Sequence, residues 1–524
     1  MNDFRGRKSS YSPGDGSCER SASILSPGRR RCWPILVSVA AAVLLVGSRA
    51  GGEDGDVERP NILWIIAENI SLDLGCYGEP LVRTPNVDWL AKTGMRFTRV
   101  FATSPVCAPS RSAFMTGMYQ TTIDCHHMRS HRDDNFRLPP GVRPLTHWLQ
   151  EAGYFTANIR RIGDRVVGTG KLDLNFVNEG PIFQSDSWDA LRTHQPFYAQ
   201  VNLPEVEYDI YDRKTRFKKR VKWVGEDWHP KIATPDRVQP PPYYPDHPVV
   251  REEWARYLNS VSGLDVRVGW VLEALRRDGL LERTVIFFFA DNGRLEPRGI
   301  HWCYRPGLHV PLIVRWPKAF PAPRGYRAGR VSERLVSLLD LTATTLRVAG
   351  IEPPLTMQSR DFLVAPSGPP RRYLFSARDR IDETVQRIRS VYDGQYHYVR
   401  NFMPERPFMA LNRYKEKCFL IVPLMRRLHA AGRLSGPPLR LMAPRLPEEE
   451  LYDTVADLHE IVNLADSQLP EHRRALERLR TALAVWMAES GDRGYIPEPP
   501  EVVRRQEREM HEWFGTPPWA EPPH

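Results

Sequence analysis

The chain is short of cysteine and has none in pairs: seven in 524 residues, with no Cys-x-x-Cys and no Cys/His spacing of the kind that holds zinc. A zinc-ribbon or disulfide-scaffold protein is therefore excluded. It has no internal repeat, which excludes a solenoid or propeller built from copies of one unit. It has no apolar run long enough to span a bilayer comfortably, since the longest, Trp33 to Val46, falls short of the ~20 residues a membrane helix needs. It also lacks a concentrated basic surface. The formal net charge is +10, but residues 1–50 carry eight Lys and Arg against three acidic residues, so half the excess sits in that segment. No nucleic-acid partner is expected from what remains.

What is there begins with an export signal. Arg29-Arg30-Arg31 precede the apolar stretch, and Ser48-Arg49-Ala50 offers small residues at the two positions a signal peptidase inspects. Residues 1–50 are expected to be a signal peptide and 51–58 an acidic linker, with the mature chain exported to a periplasm or the medium. A membrane would be involved only if the signal stayed uncleaved. Cys18 and Cys32 would leave with the signal, and Cys76, Cys107, Cys125, Cys303 and Cys418 would remain. An odd number in an exported protein suggests one cysteine with a separate chemical fate.

The apolar runs Ile62 to Ala67 and Val285 to Ala290 have the composition of strands covered on both faces, as in a parallel sheet. The first ends in Glu68-Asn69 and the second in Asp291-Asn292-Gly293. Open α/β sheets bind ligands outside the carboxyl ends of their strands, so the two ends predict one shared polar site. Carboxylate and amide oxygens suit a hard divalent cation, Ca²⁺ or Mg²⁺. Helices are expected over 86–92, 145–151, 254–279 and 335–349, and strands over 97–102, 154–159 and 196–203. Their alternation predicts a doubly wound, mostly parallel α/β sheet across residues 59–370. Short alternating segments at 373–378, 388–391 and 397–400 predict an antiparallel sheet, and with a helix over 470–489 they form a smaller α+β subdomain across 371–490. A polar, Pro/Glu-rich tail, 491–524, follows.

The most informative stretch is Val106 to Gly117. Cys107 stands at a helix N-terminus, where backbone N–H groups and the helix dipole favour an anion, with Arg111 one turn along. Cys107-Ala108-Pro109-Ser110-Arg111 followed by five residues and Gly117 resembles the signature of the type I, formylglycine-dependent sulfatases of the alkaline phosphatase-like superfamily. Gly168-Thr169-Gly170-Lys171 resembles the family's Gly-Lys element, and Gly299 to Pro317 its second signature. There, Tyr304-Arg305-Pro306-Gly307 is most similar to the sulfamidase branch. The resemblance covers roughly residues 58–490.

The resemblance implies an alkaline phosphatase-like fold and a sulfuric ester hydrolase acting on a sulfated carbohydrate, as ester or sulfamate. It implies that a formylglycine-generating maturation enzyme oxidises Cys107 and that the hydrated aldehyde is the nucleophile. Glu68, Asn69, Asp291, Asn292 and the residue at 107 would hold one divalent cation, Ca²⁺ before Mg²⁺. Lys171 would hold the sulfuryl oxygens and Arg111 the hydrate. His127, His301 and Arg378 are candidate substrate contacts, and His126, His127, His301 and His309 are candidate proton donors. The chain departs from the family pattern at Asn69 (usually Asp), Asp173 (usually His), Ile300 (usually Lys), and Glu205 and Glu207, where a histidine is expected. These departures keep two other readings open, a phosphoester or phosphonate hydrolase of the same superfamily and a non-catalytic glycan-binding relative. The basic run Lys214 to Lys222 reads as a solvated loop or as an attractor for a polyanionic substrate.

Overall fold

The computed structural model describes residues 58–131, 134–177, 180–206, 232–366 and 368–520. The segment expected to be a signal peptide, Glu207 and the basic run lie outside them. No described helix is long and apolar enough to cross a membrane.

Thirteen strands occur among the described residues: β1 Asn61–Ala67, β2 Met95–Phe101, β3 Phe155–Ile162, β4 Arg165–Val166, β5 Ser185–Ser187, β6 Phe197–Leu203, β7 Thr284–Ala290, β8 Leu312–Arg315, β9 Val331–Ser337, β10 Leu374–Arg378, β11 Ile388–Tyr392, β12 Tyr396–Asn401 and β13 Glu449–Asp453. The first nine form one sheet in the order β4-β3-β6-β1-β7-β8-β2-β9, with β5 added on β3. The pairs β3/β6, β6/β1, β1/β7 and β2/β9 are parallel, whereas β8 runs antiparallel to both β7 and β2. This is the mostly parallel, doubly wound sheet that the alternation of elements predicts.

Every residue of β1, β6 and β7 is buried, which is why these strands read as unbroken apolar runs. On one face, the Trp64 ring meets Phe114, Tyr198 and Phe289 edge-on, and its Nε1 donates to Thr345 Oγ1 at 3.2 Å. Phe114 belongs to the helix Cys107–Thr116, which packs against the helices Leu145–Glu151 and Leu341–Val348. Elsewhere on the sheet the helix Pro85–Thr93 packs against the long helix Pro248–Arg277, whose stripe of Leu258, Val261, Leu264, Val268 and Leu272 is buried.

The helix expected over 335–349 forms only in its second half. Residues up to Ser337 extend β9 in parallel register with β2. A capping box between Ser337 and Asp340 then starts a single 3₁₀ turn, and the helix runs from Leu341 to Val348. Ladder pairing to β2 decides the matter where the local sequence suits either state.

The second sheet is antiparallel, β10-β11-β12-β13. The helix Pro470–Ser490 lies on β11 and β12 through Leu479, Leu483 and Trp486. The core of the large sheet continues into this region, through Leu374, Ile388, Tyr392 and Val399, so residues from Glu58 onward form one compact unit. Beyond 490 the chain folds back onto it. Glu498 pairs with Arg380 and lies 3.4 Å from His127, and the helix Pro500–Phe514 buries Gln506 and Met510.

Candidate active site

The register of β1 against β7 sets Ala67 beside Ala290, so the two following pairs of polar residues leave the sheet side by side. Glu68, Asn69, Asp291 and Asn292 are each at most 1% exposed. Asp291 Oδ1 accepts from the backbone N–H groups of Asn69 (3.3 Å) and Asn292 (2.9 Å), and Asn292 Nδ2 donates to Asn69 Oδ1 at 2.9 Å. Gly293 allows the turn: a Cβ there would stand 2.0 Å from the Pro306 carbonyl oxygen, and its N–H donates to Gly307 O at 2.9 Å.

The helix Cys107–Thr116 aims its first turn at this corner. Val106 is extended, Cys107 is the first helical residue, and Gly117 ends the helix at φ 70°. Cys107 Sγ lies 3.9 Å from Asn69 Oδ1, and Ser110 Oγ donates to Asp291 O at 2.5 Å. Arg111 places Nε and Nη2 each 2.9 Å from Asp291 Oδ2, and Nη2 3.5 Å from Glu68 Oε1. Its Nη1 donates to Asn202 Oδ1 at 2.7 Å. Although burial works against its charge, Asp291 and then Glu68 hold the guanidinium above the ordinary arginine value. Arg111 thus organises the carboxylates of the corner directly.

Lys171 reaches the same corner from the loop after β4. Its Nζ is 3.4 Å from Glu68 Oε2 and 3.9 Å from Asp173 Oδ2. The loop is pinned by Asn158 and Asn202, whose Nδ2 atoms donate to the carbonyls of Gly170 (2.9 Å) and Lys171 (3.2 Å). Asn202, at the end of β6, therefore joins Arg111 to the lysine loop. It is a polar residue in an apolar strand, the one signal by which the sequence could have marked it.

A cavity of about 300 Å³ opens at this point, lined by Asn69, Val106, Cys107, Met128, Arg129, Lys171, Asp173, Ile300, His301, Asp382 and Tyr414. Five of the ten described non-glycine residues with positive φ stand in this wall: Asn69 (59°), Arg129 (58°), Asp173 (49°), His301 (75°) and Asp382 (51°). Left-handed backbone is disfavoured for these residues and gathers where side chains are held for function.

The candidates from sequence divide accordingly. Glu68, Asn69, Cys107, Arg111, Lys171, Asp291 and Asn292 come together, and His301 lines the cavity. Burial, with Lys415 and Arg378 next, holds the His301 imidazole well below the usual histidine range, so it is neutral at pH 7. His127 and Arg378 do not line the cavity. His127 Nδ1 faces the Arg380 backbone N–H at 3.2 Å. Arg378 lies over the Trp302 ring at 4.3 Å, and burial lowers its guanidinium to about 10. His309 is structural, with Nε2 bonded to Thr98 O at 2.7 Å. The His126 ring lies tilted against that of His127, centroids 4.2 Å apart, outside the cavity. Glu205 pairs with Arg267 of the long helix. Arg129, Asp382 and Tyr414 carry no sequence signal that ties them to Cys107. At Ile300 the side chain is apolar, but the backbone carbonyl accepts from Lys415 Nζ at 3.2 Å.

The corner is chemically suited to a hard cation. Four side chains bring oxygen donors together out of water, and Asn292 Oδ1 is buried with no hydrogen-bond partner. Among the described residues no group of three or more His, Cys, Asp and Glu is placed to hold a metal, so binding here would depend on the amide oxygens as well as the two carboxylates.

A family model described as Sulfatase matches residues 60–164 and 190–351. The chain is 32% identical over 478 residues to an ulvan-active sulfatase of Formosa agariphila, covering 84% of this chain and 77% of that one. It is 29% identical over 482 residues to the human N-sulphoglucosamine sulphohydrolase, covering 83% and 91%. Among solved structures, a protein in complex with its substrate D-glucosamine-2-N,6-O-disulfate is similar with a TM-score of 0.55 at 17% identity, covering 83% of this chain and 99% of that one. The phosphonate monoester hydrolase of Agrobacterium radiobacter is similar with a TM-score of 0.52 at 19% identity, covering 82% and 96%. At such identities the structures show a shared fold.

Proposed function

The chain belongs to the sulfatase family and is a sulfuric ester hydrolase, and from that premise we propose that it removes sulfate, as ester or sulfamate, from a sulfated carbohydrate. The observation that carries this is the placement of Cys107 at a helix N-terminus, 3.9 Å from Asn69 of the acidic corner and in the wall of the same cavity as Lys171. The names of the ulvan-active and N-sulphoglucosamine relatives support a carbohydrate substrate. The arginine-led apolar stretch before residue 50 supports export.

Formylglycine made from Cys107 by a maturation enzyme would supply, as its hydrate, one hydroxyl for attack at sulfur and a second for release of sulfate. A divalent cation, Ca²⁺ before Mg²⁺, would be held by Glu68, Asn69, Asp291, Asn292 and the residue at 107, and when bound would supply positive charge against the sulfuryl oxygens. The remaining work falls to side chains already in place. Lys171 offers a charge-assisted hydrogen bond to a sulfuryl oxygen from the cavity wall. Arg111 keeps Glu68 and Asp291 oriented, and Asn202 keeps Arg111 and the lysine loop in register. His301, neutral at pH 7, orients the leaving oxygen or nitrogen by a hydrogen bond.

The test is sulfate release from a panel of sulfated glycans and 4-nitrophenyl sulfate. The chain is co-expressed with a formylglycine-forming enzyme, supplied with Ca²⁺ or Mg²⁺, and run beside Cys107→Ala. Turnover by the parent and a loss of at least about 10³-fold in the variant are expected. Aldehyde present by mass spectrometry, glycans bound and nothing released would overturn it in favour of a binding relative.

A further inference from the structure

We propose that Arg129 and Asp382 read free hydroxyls on the sugar that carries the scissile sulfate, and that the helix Pro500–Phe514 positions Arg129 to do so. This rests on the sulfated-carbohydrate reading above. Both residues line the cavity that Cys107 and Lys171 share. Arg129 Nη1 donates to Asp382 Oδ1 at 3.0 Å, with the two side chains 13% and 3% exposed. Asp382 is fixed independently: Asn412 Nδ2 donates to its Oδ2 at 3.3 Å, and its backbone carbonyl accepts from Arg380 Nη1 at 2.7 Å. Arg129 is fixed from the other side by the last helix. Its guanidinium lies 5.0 Å from the Trp513 ring centroid, and its Nη1 is 3.7 Å from Met510 Sδ. Met510 and Trp513 are three residues apart, so both meet Arg129 from one helix face.

The chemistry of the pair decides what it recognises. A guanidinium bonded to a carboxylate is neutral as a unit, and it sets N–H donors directly beside carboxylate acceptors. Each sugar hydroxyl is both donor and acceptor, so a vicinal pair matches this array without bringing net charge. A second sulfate at the same place would set its oxygens against Asp382, and Asp173 stands in the same wall. Lys171 is the cation on the Cys107 side and is left for the scissile group. At about 300 Å³ the cavity is at the lower end of the range for small-molecule sites, which fits one sugar ring and its sulfate better than a run of residues. A site built to bond a hydroxyl discriminates steeply against the analogue lacking it, so the pair would set which sugar is accepted.

The experiment compares equilibrium binding to full-length protein carrying Cys107→Ala, alone and with Asp382→Asn, Arg129→Ala, Trp513→Ala or Trp513→Phe added. The probes are glucosamine N-sulfate, glucosamine 6-sulfate, their deoxy analogues, glucosamine-2-N,6-O-disulfate, and 4-nitrophenyl sulfate, which has no sugar hydroxyl. Asp382→Asn and Arg129→Ala should lower the ratio of monosulfated-sugar to aryl-sulfate affinity by at least about tenfold and abolish the preference over the deoxy sugars. Trp513→Ala should lower the ratio less, with Trp513→Phe restoring it. Equal losses on sugar and aryl probes would overturn the assignment, as would no binding of any sugar by the parent. Sugars that bind to the parent with this pattern but release no sulfate from the mature enzyme would overturn the hydrolase reading alone.

Discussion

Arg111 has two carboxylates and one amide around its guanidinium and almost no contact with water, so its removal leaves Glu68 and Asp291 buried with one cation fewer. Arg111→Met is expected to lower unfolding stability in EDTA by about 3–5 kcal/mol, the usual cost of breaking a buried ion pair from one side. Millimolar Ca²⁺ should recover part of that loss, because a divalent cation would compensate the same two carboxylates. Denaturant unfolding with and without Ca²⁺ measures both, and an identical loss in the two conditions would remove the cation from the corner. At this scale the sequence is legible where chemistry-bearing residues end apolar runs, as Glu68-Asn69 and Asp291-Asn292 do, or stand in a motif, as Cys107 and Arg111 do. Arg129, Asp382, Tyr414 and Lys415 were not legible. Arg129, Asp382 and Tyr414 are brought to the cavity wall, and Lys415 to the Ile300 carbonyl behind it, by tertiary packing alone.

The helix Pro470–Ser490 is latched to the small sheet by charge as well as by its apolar face. Arg480 Nε and Nη2 donate to Glu449 Oε1 and Oε2 at 2.8 and 2.7 Å, and Tyr398 adds its hydroxyl. The Arg480 hydrogen bonds hold the Glu449 carboxyl down to about 2. Its folded value is below its unfolded one, so the latch stabilises fully above about pH 4.5 and is lost as pH falls towards 2. The Arg480 side chain is 50% exposed and that of Glu449 21%, so solvent screens the pair and the contribution is modest, about 0.5–1 kcal/mol. Arg480→Ala should lower Tm slightly at pH 7 and leave it unchanged near pH 2, and an equal decrement at both would assign the effect to packing. Elements were legible where one physical pattern dominates: the double-faced burial of β1 and β7 and the stripe of the long helix; β10 to β12 form where expected, but β11 is buried throughout rather than on alternate residues. The strand β9 was not, because Val331 to Ser337 has exposed and half-buried residues through most of its length and owes its form to β2.

Across the whole molecule the two sheets share a core, and His309 sits where they meet. Its ring stacks on Phe101 of β2 at 5.0 Å, and Phe101 stacks on Tyr392 of β11 at 4.5 Å. A single cooperative unfolding transition is therefore expected for residues 58–520, and calorimetry resolving a separate transition for 371–490 would contradict it. Burial first, and then Arg305, holds the His309 imidazole down to about 3. The folded state refuses a proton that the unfolded chain accepts, so stability should fall as pH drops from about 6.5 towards 3. His309→Gln, which can still donate to Thr98 O, should flatten that slope in urea midpoints measured between pH 7 and 4. An unchanged slope would place the acid sensitivity elsewhere.

Cys107 is 4% exposed, in the first turn of a helix closed over by Asp291, a residue translated some 180 positions later than Arg111. No enzyme can grip a thiol in that position, so the proposed oxidation has a deadline in biosynthesis. On that proposal, the stretch from Val106 to Gly117 would have to be presented as extended polypeptide and converted before β7 docks. A molecule that folds first would keep its thiol, and mixing purified cysteine-form protein with the maturation enzyme should yield no aldehyde until the protein is unfolded.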